Sequence, residues 1–444
     1  MDREKGLSRE IFELALPVTV GMISHTVLNI VDTAMVGRLG DLALAAVGLG
    51  SFFILVSVLV FGSLSVGTQA LTSRRLGEGR RGEFPRIFAS SSALALIIGA
   101  SASIAGYLLS PAIFSVLSTD PAVIETGTPY MSIRFIGMFA MVTIFTLRGF
   151  VFGMARVRID MVVSIFINLL NIVLNWLLIF GNLGLPRLEV RGAAIASTVS
   201  TVLGLLLYMA ILSARVLRKR AGEGPGLSVD RGMMSAILRI SAPRAVQSMS
   251  VVGFLVFLSL VGRIGVEQLA ISNIIFKAFN LSFMVGMSIG AASATLVGRS
   301  LGQGRRDSAE RYGWRSAALG AALMGIIGML FMFFPRWIMG LFTSSAGTIE
   351  RGVVPFRLLG AFQFVDGIGI VLSRTLQGAG STMFVMISEI VCVWGFMIPF
   401  SWVAIEVFGG GLLSAWWGMF IYIVVFAGMM SWKFREGGWK EIDI

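Results

Sequence analysis

One carboxylate, Asp32, stands inside an apolar run, Asn29-Ile30-Val31-Asp32-Thr33-Ala34-Met35-Val36. An aspartate at the centre of a membrane span costs roughly 2.5–3.5 kcal/mol on insertion scales. Such a group is a functional-site candidate by default, because low dielectric disfavours its charged form and suits it to carry a proton or bind a cation. His25, Asn29 and Asp32 are spaced i, i+4 and i+7, which places them on one helix face. Asn168, Asn171 and Asn175, at i, i+3 and i+7, share one face of a later run. Amides hydrogen-bond a carboxyl in either protonation state, and their oxygens can ligate sodium. The alternative for these asparagines is a set of interhelical contacts worth about 0.6 kcal/mol each. His25, the only histidine, either packs against a neighbour or relays a proton to Asp32.

A second polar set lies in the other half of the chain. Gln363 and Asp366 share a face, and Asn273, Lys277, Asn280 and Met284 share another. Lys277 is the natural counter-ion for Asp366. That pair either holds two helices together or works as a relay in which protonating Asp366 frees Lys277. Glu389 either pairs with Lys277, lines a cleft and attracts cations, or snorkels toward the cytoplasmic end. Arg148 and Arg374, near the ends of two runs, are read as snorkelling to the cytoplasmic interface. Met35, Met284 and Met287 are candidates for lining an adaptable cleft. Pro17 lacks an N–H and allows a kink before Asp32. The lone cysteine, Cys392, excludes an intramolecular disulfide and a cysteine-built metal cluster. The Gly-x-Gly pairs lack a Walker lysine, and no nucleophile–base set is present, so nothing points to an enzyme.

The elements that must position these groups are membrane helices. The chain has 444 residues, 56% hydrophobic and 14% charged, against roughly 25% charged in soluble domains. Twelve apolar runs are long enough to span, over 12–37, 43–72, 88–110, 130–153, 160–181, 191–214, 236–261, 268–297, 314–342, 353–377, 382–407 and 411–432. The net charge of +12 is read as loop bias, not as nucleic-acid binding. Arg74, Arg75, Arg80 and Arg81, then Arg215, Arg218, Lys219 and Arg220, then Arg299, Arg305 and Arg306 fall on one face with both termini. That face is expected to be cytoplasmic. The charged N-terminal stretch reads as an amphipathic lead-in, not as a cleaved signal.

The chain repeats itself. Val36-Gly37-Arg38-Leu39-Gly40 returns as Val261-Gly262-Arg263-Ile264-Gly265, and Arg74–Arg81 returns as Arg299–Arg306 at the same offset. Gly153 and Gly378 keep that offset, while Pro17/Pro243 and Pro129/Pro355 are one residue out. The repeat implies two six-span lobes, 1–217 and 233–444, joined by a cytoplasmic linker over 218–232. The repeat omits the acid: Phe257 stands at the offset of Asp32.

Leu14–Gly40, the two RxLGxGRR-like loops, Asn171–Gly181, Gly192–Ser197 and Leu376–Thr382 together resemble the multidrug and toxic compound extrusion (MATE) family. The resemblance implies an all-α integral membrane fold, twelve transmembrane helices in two pseudo-symmetric six-helix bundles around a central cleft. It implies a secondary active antiporter that exports amphipathic or cationic compounds for H+ or Na+. No cofactor beyond that ion is implied, and the chain is read as a monomer in the cytoplasmic membrane with a drug-like substrate and lipid as partners. The family brings spans one and five into one cation site. Asp32 and Asn171 then match site residues, with Asn29, Asn168 and Asn175 beside them and a hydroxyl from Ser197 or Thr198. Asp32 would be the metal ligand if the ion is Na+. Asn175 stands where some relatives carry a second aspartate. Asp366 matches a cation-site aspartate of the norfloxacin-exporter branch, whose span-seven glutamate is replaced near Val251. The family also links a proline such as Pro17 to bending of span one. A lipid-linked precursor flippase is the rival; it would need a strongly cationic cleft, and only Lys277 is clearly mid-span.

Overall fold

A computed structural model describes residues 2–214 and 227–444. Arg215, Arg218, Lys219, Arg220 and the linker through 226 lie outside the described residues. The helices are α1 (Asp2–Gly37), α2 (Asp41–Phe61), α3 (Leu64–Gly77), α4 (Phe84–Leu117), α5 (Pro121–Ile136), α6 (Met138–Gly153), α7 (Arg158–Phe180) and α8 (Glu189–Leu212). Then come α9 (Arg231–Gln247), α10 (Ser250–Ile264), α11 (Val266–Gly302), α12 (Arg306–Phe333), α13 (Pro335–Gly340) and α14 (Ala346–Gly378). The last are α15 (Thr382–Ile390), α16 (Ile398–Trp402) and α17 (Leu412–Glu436).

Among the described residues, 11 helical stretches are long and apolar enough to cross a membrane; α5 and α6, bent by 49°, make a twelfth if taken as one span. Helices suit hydrocarbon because each satisfies its backbone polar groups within its own segment. The fourth span, expected as one run over 130–153, is therefore two helices meeting at Gly137. The eleventh departs further from the expected plain helix. It contains π-helical segments at Val391–Met397 and Val403–Val407. Pro399 lies between them with no N–H to give, a common cause of a broken ladder.

The chain forms two compact units. The N unit is Pro17–Ala245, and the C unit combines the residues up to Leu16 with Val246–Ile444. These limits differ from the boundaries drawn at 217 and 233, because two helix ends are exchanged. In the C unit, Ile11 is 1% exposed, Tyr312 Oη donates to Glu10 at 2.5 Å, and Arg315 Nε donates to Ser8 Oγ at 2.8 Å. In the N unit, Ser241 Oγ accepts from Gly67 N at 3.2 Å, and Ser90 Oγ accepts from Asp230 N at 2.8 Å. Both crossings sit at or near repeat-related prolines, Pro17 and Pro243.

Repeated sequence gives repeated geometry. After α3, Arg80 N donates to Arg75 O at 3.0 Å and Gly79 N to Leu76 O at 3.3 Å. After α11, Arg305 N donates to Ser300 O at 3.0 Å and Gly304 N to Leu301 O at 2.9 Å. Both are Schellman closures that need a left-handed residue, and Gly79 (φ 76°) and Gly304 (φ 70°) supply it. Glycine also sets a shared helix crossing. A Cβ on Gly153 would lie 2.8 Å from Gln69 O, and one on Gly378 would lie 2.8 Å from Ala294 O.

Gly153→Val and Gly378→Val should therefore each lower thermal stability in detergent, since overpacking costs about 1–3 kcal/mol. Gly48→Ala, which meets nothing within 4 Å, should not lower it. Equal melting temperatures for all three would remove the crossing argument.

Candidate functional site

The N unit brings three helices together around Asp32. Helix α7 is apolar except for a stripe, so Asn168, Asn171 and Asn175 turn inward; they are 5%, 2% and 1% exposed. Asn175 Nδ2 donates to Asp32 Oδ1 at 2.6 Å. The Asn171 amide also reaches that oxygen. Turned with its nitrogen toward Asp32, it donates at 3.0 Å while its oxygen accepts from Ser197 Oγ at 3.1 Å and Ser197 N at 3.2 Å. Ser200, one turn further on α8, lies 3.3 Å from the Asn171 nitrogen in the other amide orientation and was absent from the expected set. Asn175 Oδ1 is buried with no hydrogen-bond partner among the described residues. The site thus offers one carboxylate, two amides and two hydroxyls. No group of three or more His, Cys, Asp or Glu side chains that could hold a metal occurs among the described residues. A cation here would rely on Asp32 and neutral oxygens. Arg134 of α5 is the nearby cation whose charge reaches Asp32.

Other expected members are not gathered there. Asn29 lies 3.2 Å from His25 Nδ1 on the same helix, so the histidine pairs along α1. Asn168 donates to Ser24 Oγ at 2.7 Å, about 10 Å along α7 from Asn175 at the helical rise. Thr198 Oγ1 donates to Ile133 O at 3.1 Å, which leaves Ser197 as the hydroxyl at the site. Pro17 lies inside α1, as expected.

Arg148 does not snorkel. Its Nε donates to Asp160 Oδ1 at 3.0 Å, its Nη2 lies 3.4 Å from Ser164 Oγ, and its guanidinium sits over the Phe145 ring at 4.7 Å. Tyr208 Oη donates to the same Asp160 oxygen at 3.1 Å. Asp160 is 5% exposed. The signal available in the sequence was a pair of opposite charges flanking the short turn between α6 and α7. Arg374 also turns into protein, with its Nε 3.3 Å from Met287 Sδ of α11 and its Nη1 3.3 Å from Gln377 Oε1; Gln377 in turn donates to Gln247 at 2.8 Å.

In the C unit, the expected ion pair between Lys277 and Asp366 does not form. Among the described residues no ion pair includes either. Lys277, Asn273 and Asn280 are not buried on α11, and both asparagines donate to carbonyls of their own helix. Asp366 and Gln363 are buried, at 5% and 0% exposed. A shared face on one helix does not fix which neighbour it meets. Glu389 accepts from Tyr422 Oη at 2.9 Å instead of pairing with Lys277.

The repeat sharpens this difference. At the offset that relates Val36 to Val261, Asp32, Asn171 and Asn175 correspond to Phe257, Phe396 and Phe400. Phe257 packs edge-on against Trp416, with centroids 5.5 Å apart. Phe396 and Phe400 stack with an interplanar angle of 7°. One scaffold holds an acid–amide cluster in one unit and aromatic rings in the other.

The MatE family model matches the chain twice, over residues 17–177 and 243–403. A probable multidrug resistance protein NorM of Thermotoga maritima is 28% identical over 441 residues, covering 98% of this chain and 94% of that one. The multidrug resistance protein NorM of Burkholderia vietnamiensis is 29% identical over 436 residues, covering 95% and 92%. An outward-facing multidrug resistance MATE family transporter of the MOP superfamily superposes with a TM-score of 0.88 at 23% identity, covering 98% of this chain and 97% of that one. At that identity the likeness is one of fold.

Asp160→Asn should destabilise the protein by about 3 kcal/mol, because it leaves the partly buried Arg148 guanidinium without its carboxylate. Arg148→Met with Asp160→Asn should recover most of the loss in a denaturant or thermal series. A double variant as unstable as the sum of the single ones would show that the two residues do not act as a pair.

Proposed function

The chain belongs to the MatE family of membrane transporters, and from that membership we propose that it is a secondary active antiporter exporting amphipathic or cationic organic compounds. The coupling ion in this reading is H+, taken at Asp32 by alternating access. The observation that carries it is the 2.6 Å bond from Asn175 to Asp32 inside an apolar bundle. The cationic substrate class rests on the family and on the multidrug names its relatives carry.

The cycle is built from the partners of the acid. With Asp32 ionised, Asn175 and the turned Asn171 both donate to it. A proton from outside bonds to a carboxylate oxygen and converts that acceptor into a hydroxyl. Asn175 Oδ1, buried without a partner, is then the acceptor at hand once the amide turns. Protonation so changes how α1 packs on α7. Coupling needs only that the two access states differ in affinity for the proton and the drug. The same oxygens would serve Na+, with Asp32 as the charged ligand. The loop arginines place both termini on the cytoplasmic side in this reading. Asn29, Asn168 and His25 extend the polar face of α1 and α7 without touching the acid.

Asp32→Asn should abolish drug-dependent proton exchange in proteoliposomes while the protein still inserts and folds. Asn175→Ala should slow exchange without abolishing it. Exchange at the wild-type rate in Asp32→Asn would sink the assignment. Uptake driven by a sodium gradient alone, with no pH gradient, would transfer the ion from H+ to Na+.

A further inference from the structure

Arg134 of α5 has no part in the cycle described above. The bent span formed by α5 and α6 covers Pro121–Gly153, so Arg134, which the run over 130–153 placed near a span end, lies near the middle. Its carbonyl accepts from Gly137 N at 3.2 Å, at the bend itself. Among the described residues its guanidinium makes no hydrogen bond and no ion pair, and its Nε is buried. A guanidinium at such depth is costly, and spans keep one where it faces a protein partner or a water-filled cavity. It cannot shed its charge, and it carries five N–H donors in a planar fork.

Apolar packing sets the depth of Arg134. Tyr130 of α5, Val36 of α1, Ile179 of α7 and Ala193 of α8 belong to one buried cluster, with Ile133 packed against it. One helical turn along these four helices stand Arg134, Asp32, Asn175 and Ser197. The turn runs the same way in all four. Asn175 meets Asp32 as Ile179 meets Val36, so α1 and α7 run parallel. Thr198 Oγ1 donates to Ile133 O at 3.1 Å, so α5 and α8 run parallel. Asn171 meets Ser197, with α7 antiparallel to α8. Tyr130 Oη lies 2.8 Å from Ser51 Oγ of α2, which fixes the face of α5 that carries Arg134. The four helices thus set a guanidinium on the level of the carboxylate, with no bond between the two. Arg134 and Asp32 are each partly exposed, so a ligand can reach them.

We propose that Arg134 binds a carboxylate of the exported compound, on the level of Asp32 in the N unit. Guanidinium and carboxylate match as a bidentate pair. Lipid phosphates lie in the headgroup regions, outside the hydrocarbon, so the anion belongs to a compound that enters the N unit. A compound with both an ammonium and a carboxylate meets opposite charges on one level. The inference rests on the reading of the chain as an exporter of organic compounds, and it adds an acidic group to the cationic class given there.

The test is equilibrium binding to the full-length protein in detergent, with two probes: a rhodamine bearing a free carboxyl, and the methyl ester of the same dye. Both keep the cationic ring system. The wild type should bind the acid more tightly than the ester. Arg134→Gln should weaken binding of the acid about tenfold more than binding of the ester, since a hydrogen bond to a charged group is lost. Equal losses for the two dyes, as expected if Arg134 acts only on Asp32 or on the fold, overturn the proposal, and so does an unchanged affinity for the acid. On the wild-type protein the acid, and not the ester, should slow modification of Arg134 by phenylglyoxal, read by peptide mass spectrometry. That arm stands if Arg134→Gln fails to fold; equal modification with either dye, or none without dye, overturns the proposal there. Binding needs no gradient, which separates it from coupling. If Asp32→Asn exchanges protons at the wild-type rate, the coupling assignment of Asp32 fails, while the acid-to-ester ratio still reports on Arg134.

Discussion

A charge held out of water must be answered at short range, and the identity of the answering group decides what the charge can do. The N unit sets two acids up for comparison, Asp160, which is buried, and Asp32, which is partly buried. Asp160 is answered by a guanidinium and a phenol. A guanidinium only donates, so it favours the carboxylate and resists its protonation. Asp32 is answered by amides. An amide carries both a donor and an acceptor, so it can stay bonded to the acid through a change of protonation. The same residue type is thus fixed in one place and switchable in another, and the choice lies with Asn175 and Arg148.

Duplication supplied the frame in which this difference operates. The Schellman turns after α3 and α11 and the glycine crossings at Gly153 and Gly378 are backbone features, and they recur. Side chains at the offset of the acid–amide cluster became Phe257, Phe396 and Phe400. Backbone constraints persist because a left-handed turn or a contact with no room for Cβ accepts almost no other residue. A side-chain cluster has no such anchor: an apolar set fills the same space and removes the cost of burial. Chemistry could therefore diverge between the units while their helices kept their contacts.

The spans and the N-unit cluster were legible in the sequence for one reason. A polar residue in an apolar run is conspicuous, and helical spacing tells which polar residues share its face. Spacing does not tell which neighbour that face meets. Lys277 and Asp366 lie on different helices, and their opposite signs suggested a pair that the fold does not make. Arg148 and Asp160 lie on successive helices, and their pairing went unread because Arg148 reads from the sequence as reaching for the interface. Ser200 was hidden by its ordinary residue type. The π segments of the eleventh span had no periodic signature, since an extra residue in a turn changes the pattern by one place over a few residues. The bend at Gly137 was masked because both arms are apolar.

The exchanged helix ends bear on the origin of the fold. Residues up to Leu16 belong with the C unit, and α9 through Ala245 belongs with the N unit. A single half-sequence would hold out a helix end for which it has no place, and would lack the one its own bundle needs. Two identical half-length chains would cure each other's defect by trading those ends, as domain-swapped dimers do. Joining two such chains would add a tether to partners that already trade those ends, and would leave each half free to specialise, one toward an acid and amides, the other toward aromatic rings.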